Sequence, residues 1–405
     1  MKKLATLILL AVTMACAYAA QASADSLVYI HNNNVWLANG DGTGRYQVTL
    51  DGTSGSPYES PSEADNGTVL AVREAPGQRR RLYRMTQSGK LLNAPVNTPA
   101  PGTGAIDARI SPNGQLVAYW FVTTVSDPVC SFCVNVANQA LISRADRFTH
   151  PDDVGNPNFG GWPSWISSSE LLLTDGSATA WYYKLGFPEA TQWWSDFDNF
   201  PAEAHAPTLL DGEVARTRDR IAVVRGDNQE TIRFYTPNGF PPYAPPPSDG
   251  PTPTISTCGL PNPTGKFEDP TWSNSGRTLA WQEGDGVWVI PVPSDISNCG
   301  AFGASKLVIA GAKHPDFSPA GVNPGARPGC GNPGNPVACL TGPNGPSAAC
   351  VGAQDGLERL QAKLKKLKKK LHKADSGKAK KKIKKKIKKT KKKIKKARAA
   401  VEDAC

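Results

Sequence analysis

The chain has 405 residues and a formal net charge of +11, placed very unevenly. Residues 351–405 hold 23 basic and 5 acidic side chains, which leaves the first 350 residues at −7. That split excludes a uniformly basic nucleic-acid-binding domain, and 38 Gly with 35 Pro exclude a membrane-spanning bundle or a mostly helical protein.

At the N-terminus Lys2 and Lys3 precede an apolar run over 4–15, and Ala22-Ser23-Ala24 forms a small-residue cleavage site before Asp25. This reads as a secretory signal over 1–24, too short to span a bilayer, so the protein is expected to be secreted, periplasmic or associated with the cell surface. Thr13-Met14-Ala15-Cys16 loosely resembles a lipobox, but Thr13 stands where Leu is usual, so lipid anchoring at Cys16 is the lesser alternative. Eight further cysteines, an even number in an exported chain, point to disulfides. Cys130 and Cys133 have CxxC spacing, read as a local disulfide because no second CxxC and no helix start accompany it. Cys258 and Cys299 are plausible partners within one sheet unit, and Cys330 and Cys339 suit a staple in a linker.

The body is organised by an internal repeat. Ser60-Pro61 leads through Asn66-Gly67 into Val69-Leu70-Ala71-Val72, and Ile110-Ser-Pro-Asn-Gly114 leads into Leu116-Val117-Ala118-Tyr119. Further copies begin at Trp162-Pro163, Ala206-Pro207, Asp269-Pro270 and His314-Pro315, the last with no strand after it. Each copy makes sense as a hairpin whose Asn-Gly or Ser-Gly turn supplies positive φ. Aligned positions 61, 108, 163, 207, 270 and 315 are 44 to 63 residues apart, near the ~45 of a four-stranded propeller blade. Strands over 27–30, 35–38 and 46–50 lack a marker before them, and splicing them to the sixth marker gives a unit of 42 residues. The expectation is an all-β, six-bladed propeller over 25–322, closed by N-terminal strands joining the last blade so that no sheet edge stays open.

The Ser-Pro-x-Gly turns followed by apolar strands, with Asn34-Val35-Trp36 and Asp41-Gly-Thr-Gly44, resemble the TolB-type, WD-like six-bladed propellers of bacteria. The resemblance covers about 25–322. It implies a binding platform, in the TolB branch one that works with partner proteins in the envelope. The chain departs from that branch in lacking an obvious preceding α/β domain and in adding its basic tail.

No G-x-S-x-G elbow, H-E-x-x-H or phosphate-loop pattern occurs, and five His do not support a multi-His centre, so no cofactor or metal is expected. Asn39-Gly-Asp41-Gly-Thr43-Gly44 reads as a strand-connecting turn, since a calcium loop would need Glu where Leu50 stands. Residues just before the markers, Glu59, Asp107, His205, Glu268, Asp269 and His314, would gather at one mouth as an acidic, His-containing funnel. Such a funnel suits a cation or a basic peptide; the alternative is that these residues cap turns and start strands in solvent. Trp162, Trp165, Trp272 and Trp281 read as blade-packing aromatics, whereas Trp193-Trp194 beside Asp196 and Asp198 suggests an exposed contact.

A Pro/Gly/Cys-rich linker over 323–350 precedes a Lys-rich segment over 351–405. Leu357, Leu360, Leu364, Leu367 and Leu371, then Ile383, Ile387, Thr390, Ile394, Ala397 and Val401, form two heptad seams separated by Asp375-Ser-Gly377. Folded back as an antiparallel helical hairpin, the pairs 371/383, 367/387, 364/390, 360/394 and 357/397 keep one register, which brings Cys350 to Cys405 as a predicted disulfide. Lys365, Lys366, Lys369, Lys381, Lys385, Lys388, Lys392 and Lys395 line outer faces suited to a polyanion. The expected function is an exported, non-enzymatic adaptor: a propeller that binds a protein or small ligand, and a tail that adheres to anionic polymers, lipid headgroups or DNA. The alternative is a secreted hydrolase or lyase with its site in the propeller tunnel.

Overall fold

The computed structural model describes residues 25–74, 79–98, 104–126, 134–150, 154–157, 160–199, 208–242, 251–261 and 265–325, and in the tail the helical positions 386–391, 393, 394 and 396. Residues 1–325 and 326–405 form two compact units. The first is an all-β, six-bladed propeller of six antiparallel sheets.

One sheet holds β1 (Ser26–His31), β2 (Asn34–Asn39) and β3 (Tyr46–Gln47), with the last strand, β23 (Lys313–Ser318), on its inner edge. The pairs Ser26↔Ser318, Leu27↔Phe317 and Val28↔Asp316 join the two ends of the body antiparallel. Next come β4 (Tyr58–Glu63), β5 (Val69–Arg73), β6 (Arg81–Met85) and β7 (Val96–Asn97). The third sheet has three described strands, β8 (Ile106–Ile110), β9 (Leu116–Ser126) and β10 (Val134–Arg144), the last two pairing without slip over eleven residues each. The fourth comprises β11 (Trp162–Ser167), β12 (Glu170–Thr174), β13 (Thr179–Lys184) and β14 (Thr191–Ser195), followed by a helical turn at Asp196–Asn199. The fifth comprises β15 (Leu209–Val214), β16 (Ile221–Arg225), β17 (Thr231–Thr236) and β18 (Thr254–Pro261). The sixth comprises β19 (Glu268–Trp272), β20 (Thr278–Glu283), β21 (Gly286–Pro291) and β22 (Lys306–Ala310).

Blade strands are covered on both faces, which is why β5 and β16 read as unbroken apolar runs rather than alternating ones. Leu70, Val72 and Leu82 of the second sheet pack on Ile110, Val117 and Tyr119 of the third. At another interface Ala222, Val224 and Phe234 of the fifth sheet pack on Trp272, Leu279 and Trp281 of the sixth. The inner strands touch in sequence round the axis: β23 with β4, then β8, β11, β15, β19 and β23 again. The marker turns place Gly67, Gly114 and Gly276 at positive φ, and each donates its N–H to the carbonyl three residues back. Arg218 takes the same left-handed place in the fifth sheet, at the cost a side chain carries there.

Two expectations are corrected. Cys258 and Cys299 are disulfide-bonded, but Cys258 lies on β18 of the fifth sheet and Cys299 in the β21–β22 connection of the sixth, so the bridge joins neighbouring blades. Trp193 and Trp194 are fully buried rather than an exposed contact. The pairing of β13 with β14 slips by one residue beside them, and the extra residue lets two successive rings face the core, against Tyr182, Tyr235 and Phe240.

Cys130, Cys133, Cys330, Cys339, Cys350 and Cys405 lie outside the described residues, as do the linker from 326 and most of the expected hairpin. In the described helical positions the seam residues Ile387, Thr390 and Ile394 are covered, and Lys386, Lys388, Lys389, Lys391, Lys393 and Lys396 are exposed. Lys365, Lys366, Lys369, Lys381, Lys385, Lys392 and Lys395 are not among them. No helix of the described residues is long and apolar enough to cross a membrane.

Candidate functional site

Five of the six inner strands carry the same irregularity. Their pairing slips after Glu59, Ile106, Leu210 and Glu268, and again in β23 opposite the span from Val28 to Ile30. Ser60, Asp107, Asp269 and His314 stand there with φ of 43°, 41°, 49° and 52°, and Asp211 holds the corresponding place in β15. Three of the five are followed by Pro61, Pro270 and Pro315, whose missing N–H makes a bulge inexpensive at that point. Left-handed backbone is unusual for residues with a Cβ and tolerated best by Asp, Asn and His. The bulges bring side chains from different blades together at the axis. β11 has Trp162 at the equivalent position and pairs regularly from there to Trp165, slipping only later, between Trp165 and Ser167.

Arg109, two residues beyond the bulge of β8, reaches the middle of this group. Its Nη2 donates to Asp269 Oδ1 at 2.5 Å and lies 3.3 Å from Asp107 Oδ1, and its Nη1 is 4.0 Å from Asp316 Oδ1. His314 Nδ1 is 2.8 Å from Asp269 Oδ2, and the Asp269 N–H donates to Asp211 Oδ2 at 2.7 Å. One oxygen each of Asp107, Asp211 and Asp269 fall within 4.8 Å of one another. Trp165 Nε1 donates to the Arg109 carbonyl at 2.8 Å and fixes the strand that carries the guanidinium. Below it a cavity of about 30 Å³, one water in size, is bounded by Ser62, Glu63, Glu213 and Asp316.

Six carboxyls therefore share this region with Arg109, His314 and Arg216. Burial raises Asp107, only partly offset by Arg109, and it raises Asp211 further, with Asp269 adding repulsion. Burial likewise raises Asp316, and with repulsion from Asp316 pushes Glu213 up to about 7. Asp269 is the exception: against its burial, His314 and Arg109 hold its carboxyl well below the usual range. It in turn raises His314, although burial alone would lower the imidazole. The arrangement is an ionised Arg109–Asp269–His314 core flanked by carboxyls that hold protons more tightly than usual.

Glu63 adds a pH-dependent stability term. Burial pushes its carboxyl up to about 7 from 4.5, while Ser26 Oγ and Gln87 Nε2 donate to it, the latter at 2.7 Å. Gln87 also donates to the Gly321 carbonyl and accepts from the Asn323 N–H, which ties the end of the body to β4. Because the folded state binds the proton more tightly than the unfolded chain, stability falls as pH rises from about 4.5 to 7, by about 3 kcal/mol. Glu63→Gln is expected to match the native protein near pH 4 and exceed its stability at pH 8. Urea unfolding at both values checks this, and equal midpoints at pH 8 would refute it.

Of the expected mouth residues, Asp107, Asp269 and His314 converge. Glu59 does not: its carboxylate pairs with Arg80 at 3.0 Å within its own blade. Glu268 also stays out of the cluster and accepts from Gln282 Nε2 instead. His205 lies outside the described residues. Arg109, Asp211, Glu213, Asp316 and Glu63 were not anticipated. Asp211 had a signal, since Asp211-Gly212-Glu213-Val214 occupies the place of Asp269-Pro270-Thr271-Trp272. Gly212, not Pro207, is the marker equivalent of the fifth blade.

Fold and site together define a six-bladed β-propeller with a charged axis. Neither a protein-family model nor a curated protein matches the chain. Among solved structures it is similar to the putative TolB from Agrobacterium tumefaciens, at 12% identity over 72% of this chain and 90% of that one, with a TM-score of 0.42. It is also similar to the periplasmic gluconolactonase PpgL of Pseudomonas aeruginosa, at 12% identity over 72% and 98%, TM-score 0.42. The β-propeller domain of Cps50 (Swd1) from Myceliophteria thermophila stands at 13% over 70% and 82%, TM-score 0.41.

Proposed function

We propose that the protein is an exported binding protein whose propeller axis takes a cationic group, such as an arginine or lysine side chain of a basic peptide. The observation that carries this reading is the excess of carboxyls at the axis: Asp107, Asp211, Glu213 and Asp316 surround a core in which Arg109 and His314 are already committed to Asp269. His314 keeps a third of its side chain exposed, so solvent reaches the group from its side. An added cation would favour the ionised carboxylates, and binding would be stronger at pH 8 than at pH 5. The sheet shared by the two ends of the body serves in this reading as the clasp of the ring.

Fluorescence titration with a labelled penta-arginine peptide tests the site. Asp211→Asn and Asp107→Asn are each expected to weaken binding about tenfold or more, the size of a charge-assisted contact. Unchanged affinity in both variants would refute the axial site. The Lys-rich segment, in the same proposal, holds the protein to anionic polymers, lipid headgroups or DNA through diffuse charge. Deletion of 351–405 is expected to move elution from heparin to markedly lower salt, and identical elution would remove that part.

A further inference from the structure

A cavity of about 390 Å³ adjoins the axial cluster. Its walls include Lys266 and Glu268 leading into β19, Gln282, Gly284 and Gly286 at the β20–β21 turn, and Lys313 at the start of β23. We propose that this cavity takes the terminal carboxylate of a peptide whose last residue is arginine or lysine, the side chain of that residue lying in the axial cluster. The inference rests on the axial reading above and narrows its partner from any basic peptide to one with a basic C-terminus.

Cavity and cluster are two parts of one recess. Glu268 and Lys313 in the wall immediately precede Asp269 and His314 in the cluster, and consecutive Cα atoms are only ~3.8 Å apart. Hydrogen bonds run across the same boundary. Gln282 Nε2 donates to Glu268, Gln282 Oε1 accepts the His314 N–H at 2.8 Å, and His314 Nδ1 is 2.8 Å from Asp269 Oδ2. One long basic side chain spans such a boundary, with its charge at one end and its backbone at the other.

The two parts differ in the charge they leave unanswered. Carboxyls are in excess at the axis. In the cavity the carboxylates are engaged: Glu268 with Gln282, and buried Glu283 with Trp281 Nε1 at 3.2 Å and with further partners. Lys266 and Lys313 are exposed, and their ammonium groups make no hydrogen bond or ion pair among the described residues. Two uncommitted ammonium groups call for an acceptor-only anion, and a carboxylate has lone pairs for both. A basic residue inside a peptide offers only a neutral carbonyl there. The last residue of a chain carries the cation and the anion on one Cα. Room for its backbone exists because side chains are missing from the rim. At Gly286, with φ of +147°, a Cβ would stand 2.3 Å from the Ile309 carbonyl oxygen, whereas at Gly284 it would meet nothing within 4 Å.

Two labelled peptides, acetyl-Ala-Ala-Arg with a free carboxylate and the same peptide amidated, test this by fluorescence titration of the full chain at pH 8. The free acid is expected to bind at least tenfold more tightly than the amide. Lys266→Met with Lys313→Met should abolish that preference and leave the affinity for the amide unchanged, which also shows that the variant is folded. Asp211→Asn should weaken both peptides and keep their ratio. Equal affinity of the two peptides for the native chain would overturn this inference and leave the axial reading standing. A preference that persists in the double variant would also overturn it, placing the carboxylate on other cations such as the Lys-rich segment. Failure of both peptides to bind would overturn the axial reading and this inference together.

Discussion

Arg109→Met is expected to lower the unfolding free energy at pH 7 by about 3–5 kcal/mol, the cost of stranding buried charges by removing one partner. The side chain is the common counter-charge of Asp107, Asp269 and, more distantly, Asp316. Methionine fills much of the volume, so the loss measures charge rather than a cavity. The pH dependence has a definite sign. Without the guanidinium Asp107 and Asp316 are raised further above their unfolded values and Asp269 loses part of what holds it down, so their destabilising effect is present at high pH and fades as pH falls and they protonate. The deficit relative to the native protein is therefore expected to shrink between pH 8 and pH 5, and Arg109→Met with Asp269→Asn should recover part of it at pH 8. Urea unfolding of the three proteins at both values decides the matter. A deficit under 1 kcal/mol at pH 8 would mean that Arg109 is a solvated side chain and not the centre of the axis.

Loss of the Cys258–Cys299 bridge is the second large effect. The two cysteines are 41 residues apart, and closing a loop of that length in the unfolded chain is worth about 4 kcal/mol in the chain-entropy view. The bridge also ties the outer strand of the fifth blade to the connection before β22, where Ser256 Oγ donates to the Ile296 carbonyl at 2.6 Å. Propeller blades contact mainly their neighbours, so loosening this one interface weakens the closure of the whole ring. Cys258→Ser with Cys299→Ser is expected to cost about 3–4 kcal/mol, with a matching fall in the denaturant midpoint. The same loss should follow reduction of the native protein. A change below 1 kcal/mol would show that packing of Phe234, Trp272 and Phe302 alone holds this interface.

Much of the architecture could be read from residue order. The Pro markers and the Gly turns recur because every blade repeats one hairpin, and Asp107, Asp269 and His314 were legible because each stands directly before a marker position. What escaped reading did so for identifiable reasons. Arg109 and Asp316 lie two residues past their bulges, and alternation along an inner strand is hidden where both faces are covered. Asp211 is hidden in the sequence because Gly212 replaces proline, and the proline that mimics a marker, Pro207, stands five residues earlier. Glu59 and Glu268 sit one residue before the bulge, where the strand still pairs regularly, and their carboxylates turn to Arg80 and Gln282 within their own sheets. Trp193 and Trp194 read as an exposed pair because Asp196 and Asp198 follow them; adjacent residues on a regular strand face opposite ways, and the slip in β14 lets both rings turn to the core instead.

The axial site is tested most directly by the protons it releases. Titrating penta-arginine into the full chain at pH 7, in two buffers of different ionisation enthalpy, measures protons lost on binding. Asp107, Asp211, Asp316 and Glu213 are all raised by burial, so a cation seated among them is expected to expel a substantial fraction of a proton or more per peptide. Asp211→Asn should reduce that release. Identical heats in the two buffers, with the peptide still bound, would place the cation elsewhere on the protein and contradict the account.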